Sequence, residues 1–112
     1  MIIDYKNQQI KIPVKKVSEF GKFMGLMFKK KTTENLLFEF NKKTRIRIHS
    51  CFVFFDFLAI WINGNDKIIE FKIVKPFSFI IKPKSYFVKL IEIPLNEKNE
   101  EIIEFFVGEG KI

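Results

Sequence analysis

Apolar residues recur at every second position along much of this chain, which is the spacing of strands with one buried face. Near the N-terminus, Ile10, Ile12 and Val14 alternate with lysine and proline, and the polar stretch KNQQ before them favours a hairpin turn. Six later segments are rich in β-branched and aromatic residues: LLFEF, RIRIHSCFVF, FLAIWI, KIIEFKIV, YFVKLIEI and IIEFFV. Because such residues favour strands, the pattern predicts a largely β structure.

One stretch has helical spacing instead. Its four large apolar residues fall at i, i+3, i+4 and i+7: Phe20, Phe23, Met24 and Met27. That spacing places them on one face of a helix, and Ser18 is a residue type that caps helix N-termini. The pattern therefore predicts an amphipathic helix over residues 18–28, packed on the sheet through this apolar face.

The dipeptide Asn63-Gly64 is the clearest turn signal in the chain. Asn and Gly readily adopt the positive φ angles of tight hairpin turns. We expect this turn to join FLAIWI and KIIEFKIV as antiparallel strands, with alternate side chains on opposite faces. The two faces of the first strand then carry Ile60 with Ile62 and Ala59 with Trp61.

These elements together predict an α+β fold. A chain of 112 residues has the usual size of one domain, and no repeat or flexible linker divides it, so we expect residues 1–112 to form a single domain. Many short strands with one amphipathic helix are typical of a curved, mostly antiparallel β-sheet, or a small incomplete β-barrel, on which the helix packs.

Several features bear on the cellular location. The N-terminal sequence lacks the basic start and long apolar run of a signal peptide, and the single cysteine, Cys51, allows no internal disulfide. The longest apolar run, from Cys51 to Ile62, is interrupted by Asp56 and is shorter than the ~20 residues of a bilayer-spanning helix. We therefore expect a cytoplasmic protein without a membrane span.

The net charge of +7 is concentrated in the first half of the chain. Residues 1–48 carry twelve Lys and Arg against four Asp and Glu, whereas the remaining residues carry eight against nine. A basic face of this kind neutralises phosphates in nucleic-acid-binding proteins. Lysine runs are also common on solvated strand edges, and no recognisable nucleic-acid-binding motif accompanies them in this sequence. Nucleic-acid binding through the basic half is therefore the weaker alternative.

The neighbouring residues His49 and Cys51 raise the question of catalysis. In a strand they share one face, with Cα atoms roughly 6.5–7 Å apart, which is loose for a nucleophile and its base. One histidine and one cysteine also leave a zinc ion short of its usual ligands. We therefore predict no catalytic residue, no cofactor and no metal, and we interpret Cys51 as a buried, inert thiol and Trp61 as a core residue.

The order of several short motifs resembles an uncharacterised family, domain-of-unknown-function family 192. The similar positions are Gly-Leu-Met-Phe at 25–28, Ile-His at 48–49, Phe-Val-Phe-Phe at 52–55, Pro-Phe at 76–77 and Glu-Ile-Pro at 92–94. The Ile-His pair before a strand is similar to the archaeal branch of the family. This resemblance implies a compact β-rich fold and no established reaction.

The sequence departs from that family at its characteristic aspartate. In an alignment without gaps from His49, the family's proline falls on Asp56 and its aspartate falls on Leu58. The acidic group of this chain is therefore displaced along the strand or absent. An activity of the family that needs that carboxylate is not expected to carry over unchanged.

The positions nearest these motifs form our predicted binding surface: His49, Asp56, Pro76 and Glu92. We favour a non-enzymatic domain that binds a small ligand or a partner protein, because no set of residues meets the geometric requirements of a catalyst. The alternative is an enzyme that uses His49 with Asp56 or Glu92 in proton transfer. A concave pocket with His49 beside a carboxylate would favour that alternative.

Overall fold

The computed structural model describes residues 1–17, 26, 29–48, 50, 52–78 and 81–108. Within these residues the chain forms seven strands, a 3₁₀ turn at Glu97–Asn99 and one α-helix. The strands are β1 Ile2–Tyr5, β2 Gln8–Lys11, β3 Lys15–Lys16, β4 Leu36–Thr44, β5 Phe57–Ile62, β6 Ile68–Val74 and β7 Phe87–Pro94, and the helix is α1 Glu100–Val107. The helix predicted over residues 18–28 falls, apart from the buried Leu26, outside the described residues, as do His49 and Cys51.

The strands form two sheets. Strands β1 and β2 make an antiparallel hairpin, and the other five strands pair in the order β3-β4-β7-β5-β6. Only the short β3 runs parallel to its described neighbour β4, while the remaining pairs are antiparallel. The predicted α+β class with a curved, mostly antiparallel and unclosed sheet is therefore confirmed. No helix in the described part of the chain has the length and apolar character needed to cross a membrane.

The N-terminal hairpin forms where the polar stretch predicts it. Lys6 and Asn7 connect β1 to β2 with φ angles of 50° and 64°. Positive φ at both central residues is typical of the type I′ turn, whose twist matches that of the flanking strands. The hairpin buries Ile3 and leads into the buried Ile12.

The second hairpin joins β5 and β6 as predicted, although its turn differs in detail. The positive φ of 59° falls on Asp66 and not on Asn63 or Gly64. Asn63 instead supplies its side-chain Oδ1, which accepts hydrogen bonds from the backbone N–H groups of Asn65 and Lys67. The five residues 63–67 that connect the strands rely on the acceptor of Asn63 to hold the turn.

Strand β5 lies between β7 and β6 in the large sheet and is buried on both faces. Ala59 and Trp61 face a first core, and Ile60 and Ile62 face a second core on the opposite side, which confirms the predicted alternation. Besides these residues, the first core contains Leu26, Leu36, Phe38, Val53, Phe55, Phe57, Val74, Ile81, Phe87 and Leu90. The second core includes Ile3, Ile12, Leu58, Ile91, Ile93, Ile102 and Phe106.

The C-terminal segment IIEFFV is helical, so its prediction as a strand is wrong. The side chain of Asn96 accepts a hydrogen bond from the backbone N–H of Asn99 and starts the 3₁₀ turn that leads into α1. Glu100 and Glu101 lie in the first turn of α1, where negative charge favours the helix dipole. These local signals outweigh the β-propensity of the phenylalanine and isoleucine residues that follow.

Packing supplies the other reason for this helix. Ile102 and Phe106, four residues apart, are both buried in the second core, because one helical turn places them on the same face. The ring of Phe106 lies 5.6 Å from that of Tyr5 on β1 and 4.8 Å from that of Phe71 on β6. The α-helix that packs on the described sheets is therefore formed by the segment IIEFFV, whose composition is typical of a strand.

Candidate functional site

Ser50 is a buried serine that joins two surface segments. Its hydroxyl donates a hydrogen bond to the carbonyl of Lys75 at 2.6 Å and accepts one from the backbone N–H of Ser78 at 2.6 Å. The backbone N–H of Ser50 donates to the carbonyl of Ser78 at 2.7 Å, and the carbonyl of Ser50 accepts from the N–H of Phe77 at 2.9 Å. Because these partners are satisfied inside the protein, the two segments are held in one arrangement.

We call the described residues of these two segments, 45–48, 50, 52–54, 75–78 and 81–86, the ribbon. Beyond Ser50, Ile48 and Ile81 exchange two backbone hydrogen bonds of 2.9 Å. The predicted strand RIRIHSCFVF is therefore wrong in its extent, since residues 45–47 and 52–54 lie outside the described strands and Ile48 forms an isolated bridge. Val53 and Ile81 point into the first core and attach the ribbon to the sheet.

Three phenylalanine side chains of the ribbon face solvent. Phe52, Phe54 and Phe77 are 48 %, 59 % and 49 % exposed. The rings of Phe54 and Phe77 contact each other edge to face, with centroids 5.5 Å apart. We call these three residues the aromatic surface. Single exposed apolar residues are ordinary, whereas a group of large rings on neighbouring loops marks a contact surface.

The backbone at two of these phenylalanines is in the left-handed region. Phe52 has φ of 61° and Phe77 has φ of 59°. For a residue with a bulky side chain this conformation costs roughly 1–2 kcal/mol relative to the right-handed one. The network around Ser50 holds Phe77 in it directly, because Phe77 and Ser78 both bond to Ser50. Strained residues of this kind concentrate at binding and catalytic sites.

Two of the four predicted surface residues border the aromatic surface. A carboxylate oxygen of Asp56 lies 2.7 Å from the ammonium nitrogen of Lys75, and this ion pair is partly exposed. Pro76 is half-buried between Lys75 and Phe77. The structure therefore brings Asp56 and Pro76 to one place, while His49 lies outside the described residues.

Glu92 does not join them, because it is buried within β7. Glu92 is 6 % exposed and lies opposite Leu36 on β4 and Ala59 on β5, both of which belong to the first core. Burial raises the pKa of the Glu92 carboxyl to about 8. No described side chain forms an ion pair or a hydrogen bond with it. At neutral pH the carboxyl is therefore mostly protonated and shielded from solvent.

A cleft of about 300 Å³ lies elsewhere on the molecule. It is lined by Pro13, Val14, Thr33, Glu34, Asn35, Lys98 and Asn99. The two buried asparagines at this cleft hold its walls, since the Asn35 side chain donates to the carbonyl of Pro13 and the Asn99 side chain to that of Pro94. None of the predicted surface residues that the structure describes lines it. Across the same part of the chain, no group of three His, Cys, Asp or Glu side chains is placed to hold a metal ion.

The predicted binding surface did not include the residues that shape the aromatic surface. The stretch Phe52-Val53-Phe54-Phe55 was predicted as a strand, a pattern that does not show which rings face solvent. Val53 and Phe55 are buried in the first core, whereas Phe52 and Phe54 are exposed. The run of consecutive apolar residues was the available signal. No local sequence signal marked Ser50 and Lys75, because their roles depend on contacts between distant parts of the chain.

Comparison with known proteins identifies the fold and nothing more specific. No family model matches the chain, and no curated protein matches it. A crystal structure of a putative transcription regulator from Sinorhizobium meliloti 1021 is similar, with a TM-score of 0.73 and 15 % identity, over 90 % of this chain and 81 % of that one. A protein of unknown function from Novosphingobium aromaticivorans DSM 12444 is similar with a TM-score of 0.72 and 10 % identity, over 90 % and 75 %.

Proposed function

We propose that this protein is a non-enzymatic binding domain that contacts a partner protein through the aromatic surface. The proposal rests on one observation, the exposure of Phe52, Phe54 and Phe77 on a backbone that is strained at two of them. An exposed ring contributes little to the stability of the fold, and left-handed φ angles at phenylalanine lower that stability. The cost of this arrangement is offset if the rings are buried in a complex, where aromatic residues commonly dominate the binding energy.

A protein partner fits this surface better than a small ligand. Small-molecule sites are concave and enclose most of the ligand. The described cleft is lined by residues of other segments and not by the aromatic surface. The rings of Phe54 and Phe77 instead form an exposed pair that an apolar surface of another protein can cover.

The enzyme alternative has weaker support. It needs Asp56 or Glu92 as the carboxylate that works with His49. The carboxylate of Asp56 is engaged by Lys75 at 2.7 Å, and Glu92 is buried in the sheet. A general acid or base must come within hydrogen-bond reach of its substrate, and neither group is presented in that way.

We also propose that the chain belongs to domain-of-unknown-function family 192. The order of the short motifs along the chain, among them Pro76-Phe77 and Glu-Ile-Pro at 92–94, supports this assignment. A crystal structure of a catalogued member of the family tests it. Pro76-Phe77 resembles a Pro-Trp motif of the family, so we expect the Pro-Trp pair of that member to superpose on Pro76 and Phe77. A different position for that pair would contradict the assignment.

Peptide selection tests the binding function without a known partner. A random peptide library displayed on phage is selected against the immobilised protein, and binding of each enriched peptide is measured by fluorescence anisotropy. We expect peptides that lose at least about tenfold in affinity for the double variant Phe54→Ser/Phe77→Ser, because the buried aromatic contacts are removed.

The matched control is Ile2→Ser/Ile69→Ser, which removes two exposed apolar side chains outside the ribbon. We expect this control to bind the peptides like the original protein. Circular dichroism establishes that both variants are folded. If no enriched peptide distinguishes the two variants, the aromatic surface is not the binding surface and the proposal fails.

A further inference from the structure

Basic side chains lie along the ribbon next to the aromatic surface. They are Arg45, Arg47, Lys82 and Lys84, which we call the cationic edge. The Ile48–Ile81 bridge places residues 45–47 opposite residues 82–84 on the ribbon. Arg45 spans this pair of segments, since it donates from Nη2 to the carbonyl of Pro83 at 3.3 Å and its guanidinium lies 5.8 Å from the ring of Tyr86.

The cationic edge lacks carboxylate partners among the residues that the structure describes. The carboxylate of Asp56, near the aromatic surface, is paired with Lys75. Glu70 accepts a hydrogen bond from the backbone N–H of Lys84 at 2.8 Å, so it contacts the main chain of Lys84 and not its ammonium. The positive charge of Arg47, Lys82 and Lys84 is therefore open to an external anion.

We propose that the partner presents an acidic protein segment, with carboxylates against the cationic edge and apolar side chains on the aromatic surface. This inference rests on the proposed function and specifies its partner. Charge complementarity supports it, because opposite potentials steer association and fix the orientation of a complex. Ile46, between Arg45 and Arg47 in the sequence, adds an apolar side chain that is 52 % exposed.

The ring geometry favours an acidic protein over a nucleic acid. Single-stranded nucleic acids bind when successive bases stack on open ring faces. Phe54 and Phe77 meet at 74°, so they form an angled cluster and not parallel platforms, and one face of Tyr86 is covered by Arg45. The aliphatic side chain of Ile46 offers no stacking face and matches apolar protein side chains.

The peptides selected for the aromatic surface also test this inference. We expect them to contain an excess of Asp and Glu beside apolar residues. Their affinity should fall at least about tenfold for Arg47→Glu/Lys82→Glu and should weaken as salt is raised. The charge-matched control is Lys30→Glu/Lys31→Glu, which reverses two exposed lysines outside the ribbon and should change affinity less than about twofold.

The outcomes separate this inference from the proposed function. The selected peptides could depend on Phe54 and Phe77, carry no excess of Asp and Glu, and bind Arg47→Glu/Lys82→Glu normally. That result would overturn the proposal of an acidic partner and leave the proposed function intact. A labelled oligo(dT) of about 15 nucleotides is the competing probe. If it binds more tightly than the peptides at physiological salt and depends on Arg47 and Lys82, the cationic edge is a nucleic-acid site and the inference is wrong.

Discussion

The hydroxyl of Ser50 donates a hydrogen bond of 2.6 Å to the carbonyl of Lys75, although 25 residues separate them. This bond, with the three that join Ser50 to Ser78, connects the two segments of the ribbon near Phe54 and Phe77. Ser50 touches solvent nowhere, so its contribution to binding is structural. It positions the aromatic surface and does not form part of it.

Replacement of Ser50 by alanine should lower the free energy of unfolding by about 1–3 kcal/mol, because the buried groups that bond to its hydroxyl lose their partner. Chemical denaturation measures this change. The control is Ser78→Ala, which removes only an exposed hydroxyl that bonds the Lys75 carbonyl at 3.1 Å and should cost about 0.5 kcal/mol. Equal losses in the two variants would contradict the role of Ser50.

The protein should be more stable with glycine at position 77 than with alanine. Glycine avoids the roughly 1–2 kcal/mol cost of left-handed φ but carries about 0.5–1 kcal/mol of additional chain entropy. We therefore expect the free energy of unfolding of Phe77→Gly to be roughly 0.5–1 kcal/mol higher than that of Phe77→Ala in thermal or chemical unfolding. Both variants should lose peptide binding. An alanine variant that equals or exceeds the glycine variant would show that the backbone at residue 77 is unstrained.

Glu92 should make the protein less stable as pH rises. Its pKa is about 8 in the folded protein and near 4.3 in the unfolded chain. The folded state therefore retains the proton more strongly. The stability that this difference contributes is fully present below the unfolded pKa and is lost as the pH rises through about 8. Between pH 5 and pH 8 this loss is about 3–4 kcal/mol.

The variant Glu92→Gln tests this pH dependence, because its amide has a similar shape and stays neutral. Chemical denaturation across this pH range should show that the variant lacks most of the decrease and is more stable than the original protein at pH 8. If the two proteins show the same pH profile, the buried carboxyl does not control it.

Phe106 should be essential to the stability of the C-terminal helix. Its ring is fully buried between Tyr5 and Phe71, so Phe106→Ala should reduce the free energy of unfolding by about 3–5 kcal/mol. The partly buried Phe105 is the control, and Phe105→Ala should cost less. Similar costs for both variants would be inconsistent with a helix that turns Phe106 to the sheet.

The sequence by itself determined the hairpins and the faces of β5. Turns at Lys6-Asn7 and after Asn63 depend on residues within a few positions of one another. The assignment of Ala59 with Trp61 to one side and Ile60 with Ile62 to the other follows from the geometry of any strand. These features are local, and a local pattern contains the information that decides them.

Only the tertiary structure decided which apolar residues are covered. FLAIWI and FVFF are both uninterrupted apolar runs, yet every residue of the first is buried, while Phe52 and Phe54 of the second are exposed. Strand β5 has neighbours on both sides and a core on each face, whereas only the inward side of residues 52–55 meets the sheet. The C-terminal helix is a second case, because Phe106 packs against Tyr5 of β1 and Phe71 of β6. Burial depends on which distant segments pack against a residue, and this is not encoded in the pattern around it.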